Sequence, residues 1–155
     1  MKILKLLFVI LILTFFSCQD SQKPSMNDLS KAENTHYKKD GVFFHVSSGY
    51  DNPHKALMAL SLANKMSETQ DVTLFFDTEG VKLLTKTSED IQMENFMTLH
   101  AALDSLIAHH VQIMACPMCT KTAGINPEDY KEGVIIAEKE KFFDFTKGRI
   151  LTLDY

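Results

Sequence analysis

Short apolar segments alternate with helical patterns along most of this chain, and this alternation limits the folds that it can adopt. Residues 42–46, 72–76 and 111–115 are short, mostly apolar runs, and each is followed by a turn or a loop. Runs without a regular polar face are typical of strands in a parallel sheet, because helices cover both sides of such a sheet. The sequence therefore predicts a three-layer α/β sandwich in which a mostly parallel sheet lies between helices.

Helical patterns separate these strands. One helix is expected from Asn52 to residue 67, because Pro53 suits the first helical position. Another is expected over residues 96–109, where apolar side chains recur at helical spacing from Leu99. The remaining elements are a helical turn at 81–84, a helix at 117–123, a turn of helix from 127, strands at 134–136 and 149–153, and a helix at 139–147. Together they predict one domain over residues 41–155.

The first 40 residues lack this pattern and have the features of an export signal and a tether. Residues 1–5 are basic, and residues 6–16 form an apolar run that is too short to span a bilayer. Ser17 and Cys18 follow, and they resemble the lipobox of bacterial lipoproteins, which is cleaved before a cysteine that then receives a lipid. The resemblance implies a signal peptide over residues 1–17, lipidation of Cys18 and a flexible tether over residues 18–40. A plain secretory signal, with Cys18 incidental, is the alternative.

The same resemblance implies a location outside the cytoplasm, on a bacterial membrane that the lipid anchor contacts. Gln19, rather than Asp, follows the cysteine. By analogy with enterobacterial sorting, this favours the periplasmic side of the outer membrane. The net charge of −4 at pH 7 argues against a nucleic-acid partner, because nucleic-acid binding requires a basic surface.

Cys116 and Cys119 carry the strongest chemical signal in the domain. Cys116 ends the third predicted strand and precedes Pro117, so it lies at a helix start, near unpaired N–H groups and the positive end of the helix dipole. Both features favour a thiolate, and Cys-x-x-Cys is the spacing that closes a small redox-active disulfide. We predict that Cys116 is a nucleophile and Cys119 its resolving partner. Two buried cysteines that only fill space are the alternative.

Histidines and methionines near this pair raise the question of a metal site. Imidazole and soft sulfur ligands at His109, His110, Met114 and Met118 would suit Cu(I) or Zn. A strand separates His110 from Cys116 by about 20 Å, however, at about 3.3 Å per residue. We therefore predict no metal and no cofactor. Met114 is expected in the core, and His110 is expected to pack as a continuation of the helical apolar stripe.

Two further polar residues lie in or directly after predicted strands. His45 lies within an apolar strand and is expected to be a hydrogen-bonded core histidine. Asp77 follows the second strand, where it is either a helix cap or a site carboxylate. Because sites in parallel sheets form at the carboxyl ends of the strands, we expect the loops 47–51 and 77–80 to meet Cys116 at one edge.

Three stretches, taken in order, resemble the DsrE/DsrF-like family. The first is an apolar strand followed by residues 51–53 and a helix rich in Ala and Leu. The second is residues 72–77 followed by residues 80–84, and the third is residues 111–116 with Gly124 beyond the cysteine. The resemblance spans roughly residues 41–155. It implies a five-stranded parallel sheet between helices and assembly as trimers or hexamers.

The resemblance also implies a function. Sulfur-relay members of the family carry sulfur as a persulfide on one cysteine, and Cys116 matches that position. Those members are cytoplasmic and have a small residue where this chain has Cys119, so their role in tRNA thiolation is not carried over. We expect an extracytoplasmic thiol-based sulfur carrier or redox protein, with a sulfur or thiol donor or acceptor protein as its partner. The alternative is a non-catalytic module that binds a metal or small ligand or serves as an oligomeric scaffold.

Overall fold

Five parallel strands form the sheet at the centre of the computed structural model, which describes residues 38–155. The strands are β1 (Gly41–Val46), β2 (Asp71–Phe76), β3 (Gln112–Ala115), β4 (Val134–Ile136) and β5 (Ile150–Asp154). They are hydrogen-bonded in the order β4–β3–β2–β1–β5, and each neighbouring pair is parallel. The predicted α/β fold with a mostly parallel sheet is confirmed.

Two long helices cover one face of this sheet and form the main core with it. Helix α1 (Pro53–Ser67) packs against β1, β2 and helix α2 (Leu99–Ala108). The side chain of Asn52 accepts a hydrogen bond from the Lys55 N–H and so caps the start of α1, as the sequence predicts. The fully buried side chains of this core include Phe44, Phe76, Leu57, Leu60, Leu74, Leu99, Leu103, Leu106 and Ile113.

A much shorter helix, α4 (Lys141–Asp144), covers part of the opposite face. Its Phe142 ring contacts the rings of Phe43 and Phe75, with centroids 5.7 and 5.0 Å apart. The sequence predicted a helix over residues 139–147, which is too long. The chain leaves the helix early because the Thr146 hydroxyl donates to the Lys39 carbonyl and turns the chain toward β5.

The connections contain helix α3 (Pro117–Thr122) and two 3₁₀ helices, Gly80–Leu84 and Pro127–Asp129. Helix α2 begins three residues later than predicted, because the Thr98 side chain accepts a hydrogen bond from the Ala101 N–H and so caps the helix there. The prediction that His110 extends the apolar stripe of α2 is wrong. It is exposed and has a φ of 57°, which ends the helical path before β3.

The predicted signal peptide over residues 1–17, the lipidated Cys18 and most of the tether over residues 18–40 lie outside the described residues. Within residues 38–155, no helix combines the length and apolar character needed to cross a membrane.

Two substitutions on α1 test the assignment of its buried face. Leu60 is fully buried, whereas Met58 on the same helix is 40% exposed. We expect Leu60→Ala to lower the free energy of unfolding by about 2–5 kcal/mol, because the shortened side chain leaves a cavity. Met58→Ala should change it by about 0.5 kcal/mol or less. Urea denaturation of the reduced protein measures both values, and equal losses would contradict the assigned packing of α1.

Candidate functional site

The carboxyl ends of the central strands meet at one edge of the sheet. The Cys116 N–H donates to the Phe76 carbonyl at 2.8 Å, which joins the end of β3 to the end of β2. The Asp77 N–H donates to the Val46 carbonyl at 3.2 Å, which joins the end of β2 to the end of β1. The predicted meeting of the segments that follow these strands is therefore confirmed.

Two glycines let the loops after β1 and β2 lie in direct contact. A Cβ atom on Gly80 would overlap the Val46 carbonyl oxygen. A Cβ atom on Gly49 would lie 2.5 Å from the Glu79 carbonyl oxygen. Any larger residue at either position would push the two loops apart, so the glycines hold the site edge together.

The two cysteines occupy the first turn of α3. Cys116 is the N-cap residue with extended backbone angles, and Pro117 takes the first helical position. The Cys119 N–H points at the Cys116 sulfur, with 3.4 Å between the nitrogen and Sγ. Both residues are half-buried free thiols. The structure thus places the predicted nucleophile and its predicted partner side by side.

A buried tyrosine that the sequence analysis did not single out fixes this turn. The Thr120 hydroxyl donates to the Cys116 carbonyl at 2.7 Å and lies 2.7 Å from the Tyr130 hydroxyl. Because Thr120 has one hydroxyl proton, Tyr130 must donate to Thr120. Tyr130 is only 3% exposed, and burial raises the pKa of its hydroxyl, so it remains a donor at neutral pH. Its sequence position, after a 3₁₀ helix, carries no signal of this contact.

The environments of the two thiols differ. Burial raises the pKa of Cys119, and the hydrogen bond with Cys116 and the negative charge of Asp77 raise it further. A contact with the Thr78 backbone opposes these effects only in part. Cys119 therefore keeps its proton at neutral pH.

His45 and two carboxylates form a second cluster at the same edge. His45 Nε2 lies 2.9 Å from Asp77 Oδ2, and Nδ1 lies 2.5 Å from Asp154 Oδ1. The ring also stacks on Phe75, with centroids 5.7 Å apart. The sequence predicted a hydrogen-bonded core histidine. The hydrogen bonds are present, but the core location is wrong, because the side chain is 30% exposed at the end of the sheet.

Asp77 does not cap the helix that follows it. Its oxygens contact His45 and the Thr78 hydroxyl, which lies 3.2 Å from Oδ1. The following 3₁₀ helix has Glu79 as its N-cap residue and no side-chain cap. The helix-cap role is therefore excluded, and the role of site carboxylate stays a prediction.

The cluster shifts the ionisation of its members toward the charged forms. Partial burial by itself would lower the pKa of His45, but the hydrogen bonds to Asp77 and Asp154 outweigh it, so the pKa is raised. Burial by itself would raise the pKa of Asp77, but the hydrogen bonds from His45 and Ser47 outweigh it, so the pKa is lowered. The hydrogen bonds thus favour a charged imidazole beside a charged carboxylate at the same edge of the sheet as the thiols.

The histidines and methionines that were weighed as metal ligands are not gathered at Cys116. His109 and His110 line a cavity of about 350 Å³ at the amino ends of β2 and β3, the opposite edge of the sheet. Met114 is buried, as expected, and Met118 is 78% exposed on α3. Within residues 38–155, no three His, Cys, Asp or Glu side chains are grouped as a metal site.

A cavity of about 480 Å³ lies beside Cys119. Its walls come from the loop and 3₁₀ helix after β2 and from α3, and they consist of Thr78, Glu79, Lys82, Met118, Cys119, Thr122 and Ala123. The candidate site thus combines two neighbouring thiols, a hydrogen-bonded His–Asp cluster and a space that can admit a small molecule.

Comparisons with known proteins agree with this architecture. The model of the DsrE/DsrF-like family matches residues 40–149, which is more than half of the chain. The uncharacterized protein MK0008 of Methanopyrus kandleri is 29% identical over 103 residues, which cover 66% of this chain and 83% of that protein.

Two solved structures are similar in fold. The crystal structure of the ychN protein from E. coli aligns with a TM-score of 0.55 at 21% identity, over 74% of this chain and 99% of that one. The structure of MTH1491, a protein of unknown function from Methanobacterium thermoautotrophicum, aligns with a TM-score of 0.50 at 17% identity, over the same shares. At these identities the likeness shows the fold alone.

The His45 cluster makes a prediction about pH and stability. Because the pKa of His45 is raised on folding, its charged form stabilises the fold fully below the unfolded pKa of about 6.5, and this contribution is lost as the pH rises through the folded pKa. His45→Gln should therefore lower the free energy of unfolding more at about pH 5.5 than at about pH 8.5. Urea denaturation at both pH values measures this difference.

The same experiment in an Asp77→Asn background provides the control. Removing one carboxylate should shrink the extra cost of His45→Gln at low pH, because less charge remains to favour the imidazolium. If His45→Gln costs the same at both pH values, the ring contributes through packing and neutral hydrogen bonds instead.

Proposed function

The chain belongs to the DsrE/DsrF-like family, and from that premise we propose that it is a thiol-based sulfur carrier that uses Cys116 with Cys119. The main support is the contact of 3.4 Å between the Cys119 N–H and the Cys116 sulfur. An N–H donor aimed at sulfur stabilises negative charge there, and the thiolate is the nucleophilic form of cysteine. Cys116 is therefore the residue that takes up sulfur in this proposal.

The loading step needs no cofactor. The Cys116 thiolate attacks the outer sulfur of a persulfide donor, R–S–SH. A bond forms between the Cys116 sulfur and that outer sulfur while the S–S bond of the donor breaks. The products are Cys116–S–SH and the donor thiolate R–S⁻, so atoms and charge balance.

The loaded sulfur can leave by two routes. An acceptor thiolate attacks the outer sulfur and takes it, which restores the Cys116 thiolate. Alternatively, an ionised Cys119 attacks the inner sulfur and releases HS⁻, which leaves a Cys116–Cys119 disulfide. An external dithiol must then reduce this disulfide and is itself oxidised to a disulfide.

The environment of Cys119 favours the first route. Burial and the hydrogen bond with Cys116 raise the pKa of Cys119, and the charge of Asp77 adds to them, so this thiol attacks its neighbour slowly at neutral pH. His45 and the Thr78 hydroxyl contact the Asp77 carboxylate. A persulfide on Cys116 therefore has time to meet an acceptor before Cys119 displaces the sulfur.

We place this carrier outside the cytoplasm, on the periplasmic side of a bacterial membrane. The support lies in the sequence: a basic start, the apolar run over residues 6–16, and Ser17 before Cys18. The donor and acceptor are then thiols or thiol proteins of that compartment. Assembly as a trimer or hexamer, which the family resemblance implies, belongs to the same proposal.

A second candidate function is the binding of a small ligand without turnover. The cavity of about 480 Å³ beside Cys119 favours it, because this volume lies in the range of ligand pockets. The two functions differ in whether Cys116 changes its covalent state.

Intact mass spectrometry distinguishes them. The reduced full chain, incubated with a persulfide donor, should gain one sulfur atom, and Cys116→Ser should abolish the gain because the nucleophile is absent. In Cys119→Ser the added sulfur should persist longer than in the parent, because no neighbouring thiol displaces it. A loss of two hydrogens in the parent, together with no sulfur gain in Cys119→Ser, would indicate a disulfide switch and contradict sulfur carriage.

The double variant Cys116→Ser/Cys119→Ser controls for reaction at Cys18. It keeps the N-terminal cysteine and should gain no sulfur. If the parent gains no sulfur either, the ligand-binding module becomes the better account of the cavity.

The lipid anchor has its own test. In a bacterium that processes lipoproteins, the chain should be found in the membrane fraction, with the mass of a diacylglycerol on Cys18 and residues 1–17 removed. Cys18→Ala should move the protein out of the membrane fraction, since no acyl chains remain. Unchanged fractionation of Cys18→Ala would contradict lipid anchoring.

A further inference from the structure

The cavity beside Cys119 has the size and position to receive part of a sulfur donor. Its volume of about 480 Å³ suits a small organic molecule. Thr78, Glu79 and Lys82 form one wall, and residues of α3 form the other. Cys119 lines this space, and the Cys116 sulfur lies 3.4 Å from the Cys119 nitrogen.

The charges around the cavity do not suit an inorganic anion. Lys82 is the one cation among the lining residues, and its Nζ lies 2.6 and 2.7 Å from the two carboxylate oxygens of Glu79. Asp77 adds a negative charge that acts on Cys119. A dianion such as thiosulfate would therefore meet no unpaired cation on these walls, although unpaired cations are what bind such anions.

The remaining lining side chains suit a carbon body. Met118 is 78% exposed, and its flexible thioether adapts to groups of varied shape. Ala123 and Thr122 add a small apolar surface next to it. The pairing of Lys82 with Glu79 leaves no net charge on these walls, which suits a body without net charge.

We propose that this cavity binds the carbon body of a small organic persulfide without net charge on that body, such as an amino-acid persulfide, and discriminates against inorganic sulfur anions. The inference rests on the proposed sulfur-carrier function and names the donor class for the same site. Cys119 takes part only as a wall of the space in which the leaving group is formed.

Loading forms one bond and breaks one bond. The Cys116 thiolate bonds to the outer sulfur of R–S–SH, and the S–S bond of the donor breaks. The leaving R–S⁻ departs from the cavity and takes a proton from solvent, while Cys119 keeps its own proton because its pKa is raised. The products are Cys116–S–SH and R–SH.

A variant that fills the cavity tests the binding of the carbon body. Ala123 is exposed at the end of α3, so Ala123→Phe adds a ring to the cavity without disturbing the core. Loading of the reduced full chain in detergent is followed by intact mass spectrometry with cysteine persulfide. The rate should fall by about fivefold or more, the effect expected when a ring excludes a bound body from its pocket. Lys121→Phe, exposed on the same helix but outside the cavity, should load at the parental rate.

A variant that unpairs Lys82 tests the discrimination by charge. Glu79→Gln should raise the rate of loading from thiosulfate by about fivefold, because a free cation then faces the dianion. The matched control is Glu68→Gln, which unpairs Lys65 in an equivalent exposed pair on α1, away from the cavity. This control should leave the thiosulfate rate unchanged.

The outcomes separate the two proposals. If Ala123→Phe loads from cysteine persulfide at the parental rate, or if Glu79→Gln leaves the thiosulfate rate unchanged, the donor class is wrong while sulfur carriage stands. If neither donor adds sulfur to the parent, sulfur carriage fails and the donor class fails with it. Circular dichroism and urea denaturation check the fold of each variant. Thr122→Phe fills the same cavity from the neighbouring residue if Ala123→Phe does not fold.

Discussion

Parallel pairing of β1, β2 and β3 is the constraint on which the rest of the site depends. The register places Val46 beside Phe76 and Phe76 beside Ala115, so three strands end level with one another. The residues that follow, Asp77 and Cys116 among them, are then brought together by backbone hydrogen bonds alone. Because side chains alternate between the faces of a strand, a slip of one residue would invert each strand's core face and separate these groups. The buried apolar face against α1 and α2 therefore holds the register and, through it, the site.

The surroundings of the two thiols differ for two reasons, one within α3 and one from a neighbouring strand. The local cause is the turn of α3, in which Cys116 precedes the helix and Cys119 supplies an N–H to it. The distant cause is Asp77, which comes from the end of β2 and is held by His45 at the end of β1. A Cys-x-x-Cys spacing alone would leave the roles of its members open. Here burial and the hydrogen bond with Cys116 raise the pKa of Cys119, and the negative charge of Asp77 from the neighbouring strand adds to them.

The parts of the structure that sequence analysis predicted are those with local causes. Asn52 and Pro53 start α1, and Pro117 starts α3, because capping and proline geometry act within a few residues. The errors come from contacts between distant segments. Residues 139–147 have a helical pattern, but only Lys141–Asp144 is helical, because the chain near residue 146 is bonded to the segment before β1.

His45 shows the same limit at the site itself. Its neighbours Phe44 and Val46 are fully buried, so the twofold alternation of a strand places His45 on the other face of the sheet. This alternation gives the face of the sheet on which His45 lies. It does not give the contact with Asp154, which is 109 residues away. The same holds for Tyr130 and for the cavity beside Cys119, whose walls come from two separate segments. Contacts between residues that are far apart in the sequence depend on the tertiary fold, and they leave no periodic pattern in the sequence.

The role of Cys119 depends on the compartment that we propose for the protein. A persulfide beside an ionised thiol would soon become a disulfide and release its sulfur, and an oxidising environment would preserve that disulfide. Burial, the hydrogen bond with Cys116 and the charge of Asp77 counter this by raising the pKa of Cys119. In the proposed carrier, Cys119 therefore keeps its proton through loading, and the persulfide on Cys116 lasts until an acceptor thiolate takes its outer sulfur.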